Sequence, residues 1–424
     1  MRTLSFFLIC LAVGAVVFGA AMGVGNDYVF FAGYVVLQYV VLSTAWNILG
    51  GYCGYVNFGT AAFFAMGAYS TVAIYKFITD HDLYRMPMPV LLLIGGAVSA
   101  VVGFGMGYLT LRLRGAFFAI ATLALAVVLQ TLVVNWDYVG GSRGAYVIRP
   151  EAFPLIGSYI RYLFLVMLLL AIAALTIARL IERSRLGYGF ATIRDDELAA
   201  EASGVPTLRL KLIATTISGG LMGMAGAPYP YYISYLQPAS TFGLDYAVNS
   251  IAMPLIGGTT SWVGPLIGAV LLGSLQQVAT VTISSAANLL IVGLLLVDFV
   301  IIAPNGIVGL LRDRRTTSAA LAEPPLFTLI YIINLLPMYF LMYQGGTAEW
   351  IALFFWAFLF FAALARGWAI DRRWLFLFPF FGAFAGQAAI AYSSFSLTVI
   401  SVCIHAAGVL CGLITNRRLA DAPN

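Results

Sequence analysis

Glu182 to Lys211 reads E-R-S-R-L-G-Y-G-F-A-T-I-R-D-D-E-L-A-A-E-A-S-G-V-P-T-L-R-L-K, the one long charged segment in an otherwise apolar chain. Arg183, Arg185, Arg194, Arg209 and Lys211 alternate with Glu182, Asp195, Asp196, Glu197 and Glu201, so it is dense in charge and nearly neutral. The spacing predicts a helix over 194–203. Asp195 and Asp196 suit its N-terminus, where unpaired N–H groups and the helix dipole favour negative charge. Glu197 and Glu201, four apart, share one face among Ala199, Ala200 and Ala202. Gly204 and then Val205-Pro206 supply the stop. Charge alone describes a solvated connection between spans; the arrangement describes a short, exposed docking helix between two long apolar segments.

The surrounding composition sets the class. Hydrophobic residues make up 62% of the 424, charged residues 9%, and mean hydropathy is +0.96. A soluble domain has roughly a quarter charged residues. This chain has room for many spans of ~20 residues each. The net charge of +5 is modest, and its Lys and Arg lie beside spans and not in a patch, which speaks against nucleic acid. Cys10, Cys53, Cys403 and Cys411 sit in apolar stretches without a C-x-x-C, so neither a disulfide framework nor a metal site is supported.

The order of residues in the charged segment is more specific than its charge. Ser184-Arg185-Leu186-Gly187, Ala191-Thr192-Ile193-Arg194-Asp195-Asp196-Glu197 and Ala199-Ala200-Glu201-Ala202-Ser203-Gly204-Val205 resemble the cytoplasmic coupling loop of branched-chain amino acid ABC importer permeases of the LivM type. The broader importer motif, Glu-Ala-Ala followed three residues later by Gly, is not kept in that form; Gly204 directly after Ser203 resembles the variant this permease family shows. The resemblance implies that Arg194, Asp195, Asp196, Glu197, Glu201 and Gly204 engage a groove of an ATP-hydrolysing partner.

Outside the loop, apolar runs at 4–24, 28–49, 60–77, 89–111, 116–135, 160–180, 212–233, 246–256, 265–281 and 289–302 are span candidates. The first competes with a signal peptide ending near Gly19-Ala20-Ala21, but its length and the lone Arg2 favour a retained helix. Two glycine-rich breaks interrupt the pattern. Gly50 to Gly59 contains Asn57, and Gly257-Gly258-Thr259-Thr260-Ser261-Trp262-Val263-Gly264 precedes Pro265. Non-helical backbone at membrane depth must be buried in protein or face a watery cavity. Asn57, Gly59, Gly257, Gly258, Thr259 and Gly264 are therefore candidates for a pathway wall, with Gly141 and Ser142 of the Gly140-Gly141-Ser142-Arg143-Gly144 loop. That loop and the second break also resemble LivM patterns, although Thr259-Thr260 stands where the family usually has a third glycine. Each break precedes a small-residue helix, a hint of the internal repeats found in transporters.

Orientation follows from the basic residues. If the charged loop is cytoplasmic, alternate crossings leave only Lys76, Arg85, Arg143, Arg149 and Arg161 outside, and both termini inside. Of the absences, the most telling concerns ATP. The only lysines, Lys76 and Lys211, do not sit in a G-x-x-x-x-G-K-[ST] pattern, so the chain carries no P-loop. His81 and His405 lack metal spacing, and no cofactor is expected. Asp298, alone in an apolar run, is a functional candidate by default.

The fold class expected is an all-α polytopic membrane protein: an ABC-importer permease helix bundle with broken helices over 1–315, of about ten transmembrane segments. Its coupling loop spans 182–211. A linker at 316–325 and a C-terminal membrane extension at 326–424, an aromatic-rich module of about four further spans, follow. The implied function is the permease subunit of an importer for a branched-chain amino acid or related small polar solute, with no ATPase site of its own. Urea or short amides are alternative solutes, and a motor-independent secondary transporter or channel is the reading from another class. The resemblance implies two ATP-binding cassette subunits that hydrolyse ATP, a LivH-type second permease, a periplasmic solute-binding protein, and a bacterial or archaeal cytoplasmic membrane.

Overall fold

The computed structural model describes residues 3–282, apart from 85, 151 and 154–156, and residues 306–312. The segments expected at 289–302, 316–325 and 326–424, and Asp298, lie outside the described residues. Packing divides the chain into Met1–Ser274 and Leu275–Asn424.

The described helices are α1 (Thr3–Val24), α2 (Asp27–Cys53), α3 (Thr60–Asp80), α4 (Met88–Thr110), α5 (Ala116–Val134), α6 (Tyr159–Glu182), α7 (Arg185–Asp195), α8 (Glu197–Ala202), α9 (Thr207–Gly226), α10 (Tyr229–Ile233), α11 (Pro238–Thr241), α12 (Leu244–Gly257) and α13 (Val263–Thr282). A further helix, Gly306–Arg312, lies in the second unit. Among the described residues, seven helical stretches are long and apolar enough to cross a membrane, α9 with α10 counting as one. In hydrocarbon every backbone N–H and C=O must find a partner within the chain, which a helix does segment by segment. This is an all-α polytopic membrane protein.

Contacts in the first unit order the crossings between two ends. At one end Asp27 pairs with Arg161 at 2.9 Å, joining the starts of α2 and α6. There too β1 (Ala145–Tyr146) pairs antiparallel with β2 (Tyr235–Leu236), Ala145 opposite Leu236. The other end holds α7 and α8. There the Arg179 guanidinium of α6 lies 3.9 Å over the Phe6 ring of α1 and 5.8 Å from Trp262, a cation–π arrangement that shields a buried charge.

The interior is held by backbone-to-backbone approach. A Cβ on Gly67 of α3 would collide with the Gly223 carbonyl of α9, and one on Gly226 with the Phe64 carbonyl. Ser99 of α4 donates to the Phe63 carbonyl at 2.8 Å in the same seam. Small residues allow this approach, and dispersion and interhelical hydrogen bonds then supply the association that lipid does not drive.

The glycine-rich break after α2 is shorter than its composition suggests. Gly50 and Gly51 remain helical, and the helix ends only at Gly54, which is left-handed at φ +78°. Tertiary contact overrides the weak helix propensity of glycine: Gly51 packs so close to the Thr259 carbonyl that a side chain would not fit. The two glycine-rich breaks therefore meet. Gly223→Leu should cost at least ~1–3 kcal/mol by overpacking, read as lower thermal stability and lost monodispersity in detergent. Gly105→Ala, on an open face of α4 with nothing within 4 Å, should match or exceed the parent by up to ~1 kcal/mol.

Candidate functional site

The charged stretch forms two helices, not one. Ser184 caps α7, its Oγ accepting from the N–H groups of Leu186 and Gly187 at 3.2 and 3.4 Å. α7 buries Phe190 and Ile193. The expected helix over 194–203 is broken at Asp196, whose extended backbone (φ −159°, ψ 108°) ends α7. Its carboxylate restarts the helix by accepting from Leu198 and Ala199 N–H at 2.9 and 3.0 Å. An acidic cap here satisfies orphan N–H groups, as the sequence indicates, but between two helices.

α8 closes in a Schellman motif. The Val205 N–H donates to the Ala200 carbonyl and the Gly204 N–H to the Glu201 carbonyl, both at 3.0 Å. Gly204 is left-handed at φ +82° with open space around it, so a side chain there is opposed by backbone strain and not by crowding.

The main departure from an exposed handle is Glu197, which turns inward. Its Oε1 lies 2.6 Å from Lys211 Nζ, and the two side chains are 13% and 3% exposed. Its Oε2 accepts from the Tyr55 hydroxyl and lies 3.7 Å from Arg114 Nε. Lys211 belongs to the second turn of α9 and not to a solvated loop. Its ammonium also donates to the Tyr55 oxygen and the Leu111 carbonyl, both at 3.1 Å. An ammonium has three N–H groups, and each finds an acceptor.

Glu201 shares the Glu197 face, as its i, i+4 spacing requires. It stays exposed, accepting from Arg114 at 3.3 Å and from the Thr207 hydroxyl at 2.7 Å. Arg194 reaches the Gly51 carbonyl at 3.4 Å and lays its aliphatic stem on Gly54. Glu182, the last residue of α6, accepts from the Trp262 N–H at 2.9 Å and from the Tyr52 hydroxyl at 3.4 Å. Both glycine-rich connections thus hang from the charged stretch. The outward side of α7 and α8 presents Tyr188, Leu198, Asp195 and Ala202. Tyr55, Arg114 and Lys211 escape a sequence reading that counts Lys and Arg by loop. The available signal was a lone lysine among Leu208, Leu210, Leu212 and Ile213, since ionisable groups within apolar spans are seldom idle.

Burial pushes the Glu197 carboxyl up. The hydrogen bonds from Lys211 and Tyr55 and the charges of Lys211 and Arg114 outweigh this, so it is held below its ordinary value. Burial, and then the neighbouring Glu197, raise the Tyr55 phenol above its usual range.

Comparison with known proteins places this geometry in a family. Residues 28–300 match the branched-chain amino acid transport system permease component. The chain belongs to that family. This permease is 27% identical to the high-affinity branched-chain amino acid transport system permease protein LivM of Salmonella typhimurium over 310 residues, 67% of this chain and 71% of the relative. It is also 27% identical to the Escherichia coli LivM protein, covering 65% and 69%. Identity to a probable LivH permease of Methanocaldococcus jannaschii is 24%, covering 58% and 82%. No solved structure matches.

In this permease the sequence-derived wall candidates fall into two groups. Asn57 and Gly59 lie beneath the charged stretch. Asn57 is buried, its Oδ1 accepts from the Gly59 N–H at 2.7 Å, and its Nδ2 has no partner among the described residues. Gly257, Gly258, Thr259 and Gly264 belong to the connection that Gly51 meets, where Gly257 and Gly264 permit a close backbone crossing. Gly141 and Ser142 lie at the opposite end, Gly141 buried in a 3₁₀ turn and Ser142 exposed. No cluster of His, Cys, Asp and Glu able to hold a metal occurs among the described residues.

Removing one partner of a buried pair leaves an uncompensated charge. Lys211→Met should therefore destabilise the fold by ~3–5 kcal/mol and raise amide exchange across 197–205. Acid should act on the same lock. A depressed carboxylate contributes stability above its unfolded value, here 4.5, and loses it as pH falls through the folded one. Exchange protection of α8 should hold at neutral pH and fall below about pH 4.5, and Glu197→Gln should remove that pH dependence.

Proposed function

We propose that this chain is the pathway-forming permease of an ATP-driven importer, with α7 and α8 as the element that partner ATPases push. The observation that carries the reading is the docked α8, a charged helix with an exposed outer side seated by a buried ion pair, next to Arg194 of α7 and Glu182 of α6, which reach the two glycine-rich connections. Family membership supports it. The two lysines stand outside any P-loop pattern, so ATP would be hydrolysed by partner subunits and no cofactor would be held by this chain. The partners are two ATP-binding cassette subunits, a second permease of LivH type and a periplasmic solute-binding protein. The charged loop and the N-terminus then face the cytoplasm of a bacterial or archaeal cell. Asp195 supplies an outward acid, Glu201 stays exposed beside Arg114, and Gly204 fixes the turn that follows.

The solute proposed is a branched-chain amino acid, by analogy with what the names of the LivM relatives state. In proteoliposomes containing the full complex, uptake should require ATP and should favour leucine, isoleucine or valine over urea, short amides and ribose. ATP-independent uptake would contradict the reading. Glu201→Arg or Gly204→Val should lower transport at least about tenfold, a coupling loss on the order of 1.4 kcal/mol, with insertion unchanged. Cysteine at Asn57 or Thr259 should react with a small polar thiol reagent at a rate that changes when ATP is trapped.

A further inference from the structure

The charged stretch is tied to its surroundings by a joint at Lys211. The Lys211 ammonium donates to three acceptors on three separate segments: the Glu197 carboxylate of α8, the Tyr55 hydroxyl of the 54–59 connection, and the Leu111 carbonyl at the end of α4. Tyr55 closes the triangle by donating to Glu197. It is seated edge-on against Phe118 of α5, with ring centroids 5.1 Å apart. Withdrawing any one acceptor strands part of a charge whose side chain is 3% exposed, and an unsatisfied buried charge is far more costly than an ordinary lost hydrogen bond.

We propose that Lys211 and Tyr55 are positioning residues that lock α8, the 54–59 connection and the end of α4 into one moving body, so that a push on α8 is delivered to the α2–α3 connection. The proposal rests on the importer reading. Its consequence is specific: the pathway candidates Asn57 and Gly59 travel with α8, and Gly51 at the end of α2, held by Arg194 and packed on the Thr259 carbonyl, passes the displacement to the second glycine-rich connection.

The test uses the assembled importer in proteoliposomes and three variants, with uptake per ATP hydrolysed as the readout. Tyr55→Phe, the mildest change, should co-purify with the ATPases at parental yield and lower that ratio about tenfold, as a coupling loss near the upper end of the usual range. Lys211→Met should lower both Tm and the ratio. The double variant Lys211→Met/Glu197→Gln removes both charges and should recover Tm, because neutral replacement of a buried pair is often tolerated, while the ratio stays low. Recovery of the ratio in step with Tm would assign the lock to stability alone and overturn the proposal. A parental ratio in Tyr55→Phe would overturn it also. Spin labels at Leu198 and Val56, both exposed, address the joint without ATPases. Their distance distribution should be narrow in the isolated parent chain and broad in Lys211→Met, and equal widths would refute the lock. Failure of the parent chain to assemble with any ATPase, with the narrow distribution intact, would instead sink the importer reading.

Discussion

A buried ammonium tolerates little displacement of its acceptors, and the organisation of one end of this permease follows from that constraint. Lys211 is positioned on α9, a span held against α3 and α4 by glycine-to-backbone contact. That packing leaves α9 little freedom to slide along α3 and α4, so the charge is fixed relative to those helices. Glu197, Tyr55 and the Leu111 carbonyl must come to it. The direction in which α8 faces, the height of the 54–59 connection and the close of α4 are all set by one set of hydrogen bonds.

Around this centre the two glycine-rich connections take a structural meaning beyond flexibility. The first ends α2 at a left-handed Gly54, on which Arg194 lies. The second is gripped by Glu182 through the Trp262 N–H. Gly51 and the Thr259 carbonyl bring the two together. The short α7–α8 pair therefore touches, directly or through one residue, the connections α2–α3, α4–α5 and α12–α13. An element with that many attachments can convert a small displacement into a coordinated change of several helix ends, which is what a two-state pore requires of its driver.

Much of this was legible in the sequence, and the limits have physical causes. The seven long spans among the described residues followed from apolar length, and the acidic cap and Gly204 stop of α8 followed from local backbone chemistry, which short-range residues determine. The i, i+4 spacing of Glu197 and Glu201 placed them on one face, and Arg114 does bridge them. Which way that face points is a tertiary matter. It is decided by Lys211, fourteen positions along the chain from Glu197, and by Tyr55, whose 54–59 connection looked like a loose break. Counting Lys and Arg by loop treated Lys211 as solvated because it is contiguous with the charged run, yet α9 begins at Thr207 and carries it inward. Asp196 breaks the helix because its extended backbone is stabilised at both ends, by capping α8 and by its N–H closing α7 on Thr192.

The inward turn of Glu197 is the claim on which the rest stands, and carboxyl footprinting tests it directly. The intact membrane-embedded permease would be treated with a carbodiimide and an amine at neutral pH, and modification read by mass spectrometry. The account predicts fast modification of the exposed Asp195 and Glu201 and protection of Glu197. Equal modification of Glu197 and Asp195 in the parent would contradict it.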